Sequence, residues 1–160
     1  MALICLRILR LNKIKLVKFH CVDSCKGPKE RKKLKLFLEN LFKLEKRNLD
    51  HISYIFCDDE YLLSINRRFL NHNYYTDIIT FNLSGVEAQI IGEVYISSER
   101  VLENSAFLDV DFNEELLRVI FHGALHLSGY SDNTKAQTRL MRKAEDKYLK
   151  VYKKLVSRET

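Results

Sequence analysis

His122-Gly-Ala-Leu-His126-Leu-Ser-Gly129-Tyr-Ser-Asp132 is the stretch around which this chain is organised. It closes an apolar pattern of Phe112, Leu116, Val119, Ile120 and Leu125, whose spacing predicts a helix from Phe112 to Leu127. Asp111 followed by Glu114 reads as a capping box at its start. Gly129 reads as the stop, a residue just past the helix in the left-handed conformation. His122 and His126 stand at i and i+4, so both imidazoles leave one helix face, about 6 Å apart along the axis. A turn at Gly129 brings Asp132 back toward the same point. Two helix nitrogens and one carboxylate oxygen suit a zinc ion that keeps an open fourth position for water. The plainer alternative is a pair of partly exposed or hydrogen-bonded helix histidines.

The residue directly after His122 is Gly123. Zincin peptidases carry Glu there as the general base, so the chain departs from that class whatever its metal does.

The segment His122 to Tyr130 resembles the signature of the YbeY family, the metal-dependent endoribonucleases of bacterial ribosomal RNA maturation. Three further segments carry the same resemblance in the same order: Ile65-Asn66 through Phe69, Asn71 through Thr76-Asp77 to Phe81, and Gly92-Glu93-Val94. The resemblance implies His122, His126 and Asp132 as ligands of one Zn2+ per chain. It implies single-stranded RNA, ribosomal RNA and the ribosome as partners, and a cut at the 3′ end of the small-subunit RNA. Three positions depart from the family pattern. Asp132 stands where the family usually has a third His, Leu70 where it has Arg, and Tyr75 where it has Pro. Arg67 and Arg68 are then the candidate substrate-binding cations, and Glu93 is a candidate general base by family position. A solvent-facing strand acid is the plainer reading of Glu93, and Asp77 either orients a ligand His or starts a strand.

Phosphodiester cleavage needs cations near the charge that grows in the transition state. Arg118 lies one helical turn before His122 and is a second catalytic candidate; a surface ion pair with Glu114 or Glu115 is the alternative. His72, Tyr74 and Tyr75 make the loop before Asp77 aromatic, as suits stacking on unpaired bases.

The 160 residues make one ordinary domain, read as 1–160 with residues 1–14 as a disordered extension. Leu3 to Leu11 is apolar but broken by Arg7 and Arg10, unlike a secretory signal. No apolar run is long enough to span a bilayer. Four cysteines without a framework spacing read as reduced thiols of a cytoplasmic protein. The net charge of +6 is uneven: residues 1–50 hold 14 Lys and Arg against 5 Asp and Glu, whereas residues 51–160 are net negative. A basic first third suits a polyanion such as nucleic acid.

Along the chain, Lys15–Phe19 and His51–Cys57 read as strands, and a helix spans about 29–46 with Pro28 near its first position. Its inward stripe is Leu34, Phe37, Leu38, Leu41 and Leu44. Asp58 or Asp59 caps the next helix, with Leu62, Ile65 and Phe69 inward. Asp77–Leu83 and Ile90–Ser97 are two more strands, and Ser98 opens a helix through Phe107. The last helix, 134–156, is expected to bury Leu140, Ala144, Tyr148, Val151 and Leu155. The class is α+β: one mixed sheet of about four strands packed against helices, with the metal site on the penultimate helix. The expected function is a zinc-dependent endoribonuclease. The rivals are a ribosome- or RNA-binding assembly protein with a closed structural metal site, in which Cys21 or Cys25 adds a ligand, and a metallohydrolase of another substrate class.

Overall fold

In the computed structural model, which describes residues 16–23, 25–85 and 89–157, two strands carry the core. Strand β2 (Asn48–Cys57) buries Ile52, Tyr54 and Phe56, and strand β4 (Gln89–Ser97) buries Ile90, Val94 and Ile96. Alternation by two puts each set on one sheet face. β2 and β4 pair in parallel; β1 (Val17–Cys21) runs parallel on the far side of β2, and β3 (Ile78–Asn82) lies antiparallel along β4. The order β1-β2-β4-β3 is the single four-stranded mixed sheet expected of an α+β fold. The expected extension at residues 1–14 lies outside the described residues.

Helices α1 (Arg31–Leu44) and α4 (Phe112–Leu127) cover the face of Tyr54 and Val94, and α5 (Lys135–Val156) packs on them, with Tyr148 and Tyr152 against Phe37 of α1. Fully burying one Leu, Ile or Phe side chain there is worth about 1.5–3 kcal/mol. The opposite face packs Cys57 and Ile79 against Leu62 of α2 (Asp59–Ile65). The remaining helix, α3 (Ser98–Leu108), connects β4 to α4. α4 is seated on the sheet by a buried polar contact as well: the Tyr54 hydroxyl donates to the Ile120 carbonyl at 3.1 Å.

Four local expectations are revised. Pro28 is buried in the loop before α1, which starts at Arg31 after Glu30 in the left-handed conformation. At the other end of α1, Phe42 is buried and Leu44 is exposed, because the chain leaves the helix at Glu45 toward β2. α5 is rotated relative to its expected stripe: Met141, Ala144, Tyr148, Leu149 and Tyr152 are buried, whereas Leu140, Val151 and Leu155 are exposed. Asp111 caps α4 through the Asn113 amide, but Glu114 does not close a box; its carboxylate pairs with Lys153 of α5 at 2.5 Å. The reciprocal capping box belongs to α5, between Thr134 and Gln137.

Candidate metal centre

α4 ends where its sequence says it should. Gly129 has φ of 103°, and the Gly129 and Tyr130 amides return to the carbonyls of His126 and Leu125, both at 3.0 Å. That is a Schellman stop, and it needs a residue without Cβ strain at the left-handed position. The reversal carries Asp132 back over the helix face. One Asp132 oxygen lies 3.8 Å from Nε2 of both His122 and His126.

The two imidazoles are held from behind by different groups. His122 Nδ1 lies 2.7 Å from the buried carboxylate of Glu145 on α5. His126 Nδ1 lies 3.1 Å from the Tyr130 carbonyl. A carbonyl only accepts, and the carboxylate accepts when ionised, so each Nδ1 donates and each Nε2 is left with its lone pair. Those two Nε2 atoms stand 2.8 Å apart. Two lone pairs at that distance repel unless a proton or a metal cation lies between them. Of the two, His122 has the raised pKa: burial lowers it, but the hydrogen bond and charge of Glu145 more than offset this. Burial, together with the charge of His122, lowers that of His126. The donor set of two imidazoles and one carboxylate, with ligand atoms within 4.8 Å of one another, fits a divalent cation such as zinc. Among the described residues no other group of this kind is present, and Cys21 and Cys25 do not join it.

Gly123, the residue after His122, faces the sheet rather than the site. A Cβ there would meet Val94 at 2.8 Å and Ile78 at 3.1 Å. The place where zincins carry their base is thus filled by the seam between α4 and the strands, and a larger side chain there would force Val94, Ile78 or α4 to shift.

A cleft opens on each side of the histidine pair. The first, about 580 Å³, is lined by His122, Asp132, Asp77, Glu115, Arg118 and Glu145, among others. The second, about 380 Å³, lies along the edge strand β3 and is lined by Asn66, Leu70, His72, Tyr74, Thr80 and His126, among others. The loop bearing His72 and Tyr74 follows a π-helical turn at Asn66–Leu70 that ends with Asn71 at φ of 56°. Buried Asn66 ties the loop back by donating to the Tyr74 carbonyl at 2.8 Å. His72 and Tyr74 stack at 5.2 Å between centroids.

The other expected site residues are spread more widely. Arg118 does face the first cleft, but it is bound to Asp146 at 2.7 Å and to Glu145 at 3.4 Å, with Glu115 at 3.9 Å. Asp77 lines the same cleft and accepts from Asn104 at 3.3 Å; it makes no hydrogen bond or ion pair with either histidine, though its charge acts on His122. Glu93 falls in the alternate set of β4, on the sheet face turned away from α4, where the Tyr95 hydroxyl donates to it at 2.8 Å. The structure therefore does not bring Glu93 to the histidines, because strand alternation sends it the other way. Leu70 lines the second cleft, whereas Arg67 and Arg68 are exposed outside that lining; Arg67 donates to Asn73 at 2.6 Å and Arg68 lies over the Phe69 ring. Tyr75 also turns away, with its hydroxyl on Glu60 and its ring beneath Arg100.

The family model described as Endoribonuclease YbeY matches residues 23–153. The chain belongs to the YbeY family. A relative from Cytophaga hutchinsonii named Endoribonuclease YbeY is 44% identical over 125 residues, covering 78% of this chain and 87% of the relative. One of the same name from Flavobacterium psychrophilum is 49% identical over 108 residues, covering 68% and 76%. A solution structure from Thermotoga maritima superposes with a TM-score of 0.59 at 26% identity, covering 89% of this chain and 93% of the other. Within this YbeY chain the residue of the candidate site that sequence reasoning missed is Glu145. Its signal was available: an acid placed between Ala144 and Tyr148 on the buried stripe of α5, where an unpaired carboxylate is costly. The Tyr130 carbonyl had no such signal, since every residue has one.

Proposed function

We propose that the chain is a zinc-dependent endoribonuclease that cuts single-stranded RNA and acts in ribosomal RNA maturation, at the 3′ end of the small-subunit RNA, and in ribosome assembly or quality control in the cytoplasm. The observation that carries this reading is the pair of Nε2 lone pairs converging on Asp132, in a chain of the YbeY endoribonuclease family. His122, His126 and Asp132 would hold the ion. A bound zinc ion supplies a water of near-neutral pKa and polarises a phosphoryl oxygen. Glu145 and the Tyr130 carbonyl fix which nitrogen of each histidine faces the reaction. The His72–Tyr74 stack offers a platform for an unpaired base beside His126. Arg118, held by two carboxylates, keeps its charge at the wall of the first cleft: burial lowers its pKa, and Asp146 and Glu145 raise it further. Arg67 and Arg68 stand on the turn that carries the aromatic loop and are the cations nearest it in sequence.

The test is cleavage of a labelled single-stranded RNA and its duplex, with and without chelator, alongside zinc content by atomic emission. The expected result is about one zinc per chain, single-strand cleavage lost on chelation, and loss of metal and activity together in His126→Ala. Changing both Arg67 and Arg68 to Ala should weaken cleavage with zinc content unchanged. Chelator-indifferent cleavage would remove the metal mechanism. Tight RNA binding without any cleavage by the zinc-loaded protein would leave an RNA-binding assembly protein instead.

A further inference from the structure

The long helix α5 carries eight Lys and Arg against two Asp and Glu. Both acids are engaged elsewhere, Glu145 with His122 and Asp146 with Arg118 of α4. What is left is a row of exposed cations, Arg139, Lys143, Lys147, Lys150 and Lys154, at i, i+4, i+8, i+11 and i+15. That spacing keeps them in one stripe. The stripe lies opposite the buried face of Met141, Tyr148 and Tyr152 and runs about 22 Å along the axis. Among the described residues, no carboxylate pairs with any of the five; Lys147 lies over the Tyr148 ring at 4.7 Å. Like charges at i and i+4 destabilise a helix, and a merely solvated helix face ordinarily relieves this with interspersed Glu. Here the one acid that flanks the row, Asp146, is bound to Arg118 of α4 instead.

The stripe also has a fixed relation to the metal centre. Arg139 and Arg142 share a surface hollow with Asp132, and Arg142 reaches the cleft that holds His122. One end of the row therefore starts at the candidate metal ligands and the other leads away from them.

We propose that the outer face of α5 is a phosphate track: it binds the backbone of the RNA segment flanking the scissile bond, independently of sequence. This deepens the endoribonuclease reading and rests on it. A row of unpaired cations suits a polyphosphate backbone, whose binding depends steeply on salt. The exposed Leu140, Val151 and Leu155 border the row and give sugar or base edges an apolar surface.

The experiment measures affinity of the zinc-loaded protein for fluorescein-labelled poly(U), about 30 nucleotides against about 6, across a salt series. The variant Lys143→Gln, Lys150→Gln, Lys154→Gln is compared with Lys18→Gln, Lys26→Gln, Lys43→Gln, which removes equal charge from other exposed sites. The α5 variant should bind the long RNA at least about tenfold more weakly, with the salt slope reduced by about 0.7 per lost contact. Affinity for the short RNA should change little, and the control variant should match the parent. Equal losses in both variants would reduce the effect to net charge and overturn the track. Unchanged RNA affinity in the α5 variant, with lost binding to anionic phosphatidylserine vesicles, would reassign the stripe to a membrane surface. If the parent cleaves RNA while the α5 variant binds as the parent does, the track falls and the nuclease reading stands; if the parent neither binds nor cleaves RNA, both fall.

Discussion

Glu145 on α5 places a carboxylate oxygen 2.7 Å from Nδ1 of His122 on α4, and its second oxygen lies 3.4 Å from the Arg118 guanidinium. One buried acid thereby fixes the ring orientation of a candidate metal ligand and anchors a cation of the cleft, Arg118. Partners of this kind behind a metal-bound His typically contribute about 10–100-fold in metal affinity. Glu145→Ala should lower zinc affinity by about that factor, measured by competition with a chromophoric chelator. Glu145→Gln keeps an acceptor for Nδ1 and should retain more affinity than Ala. Equal affinity in all three proteins would mean that His122 needs no partner.

Asp132 faces both Nε2 atoms at equal distance, 3.8 Å. Asp132→Asn preserves size but removes the negative charge that offsets a cation, so zinc should be held more weakly. Asp132→His supplies the ligand more common in the family and should retain it. Chelator competition that ranks Asn with His would show that Asp132 does not coordinate.

Leu70 lines the cleft beside His126, at the position where the family usually has Arg. Leu70→Arg should add a cation facing the phosphodiester and raise the single-turnover cleavage rate, by up to about tenfold. The side chain is 42% exposed, so the longer residue fits without disturbing the core. A rate at or below the parent's would indicate that charge at this site is already supplied, by Arg67 or Arg68.

Glu115 is buried in the first cleft with no hydrogen bond to its carboxylate among the described residues, and its pKa is raised, mainly by burial. A carboxyl group whose folded-state pKa is raised costs no stability below its unfolded value of 4.5 and weakens the fold as pH rises through the folded value. Glu115→Gln should therefore raise the melting temperature at neutral pH, with the gain vanishing below about pH 4.5. A variant less stable than the parent at pH 7 would show that attraction to Arg118 outweighs the burial cost.

The sequence by itself determined helix α4 from Phe112 to Leu127, its Gly129 stop, and the convergence of His122, His126 and Asp132, because these depend on helical spacing and one adjacent turn. It also determined the α+β class, since strand and helix periodicities are local. Tertiary packing alone decided which acid reaches His122, a contact across 23 residues that depends on how α5 lies against α4. The rotation of α5 was decided in the same way. Its sequence offers apolar residues on nearly adjoining stripes, and the sheet-bound helices selected Met141, Tyr148 and Tyr152 over Leu140, Val151 and Leu155. That choice placed the cations together on the outside. Counting charges along the chain located the basic surface in the first third, whereas the folded protein has a second one on α5, because segment sums average over acids that packing turns inward or pairs away.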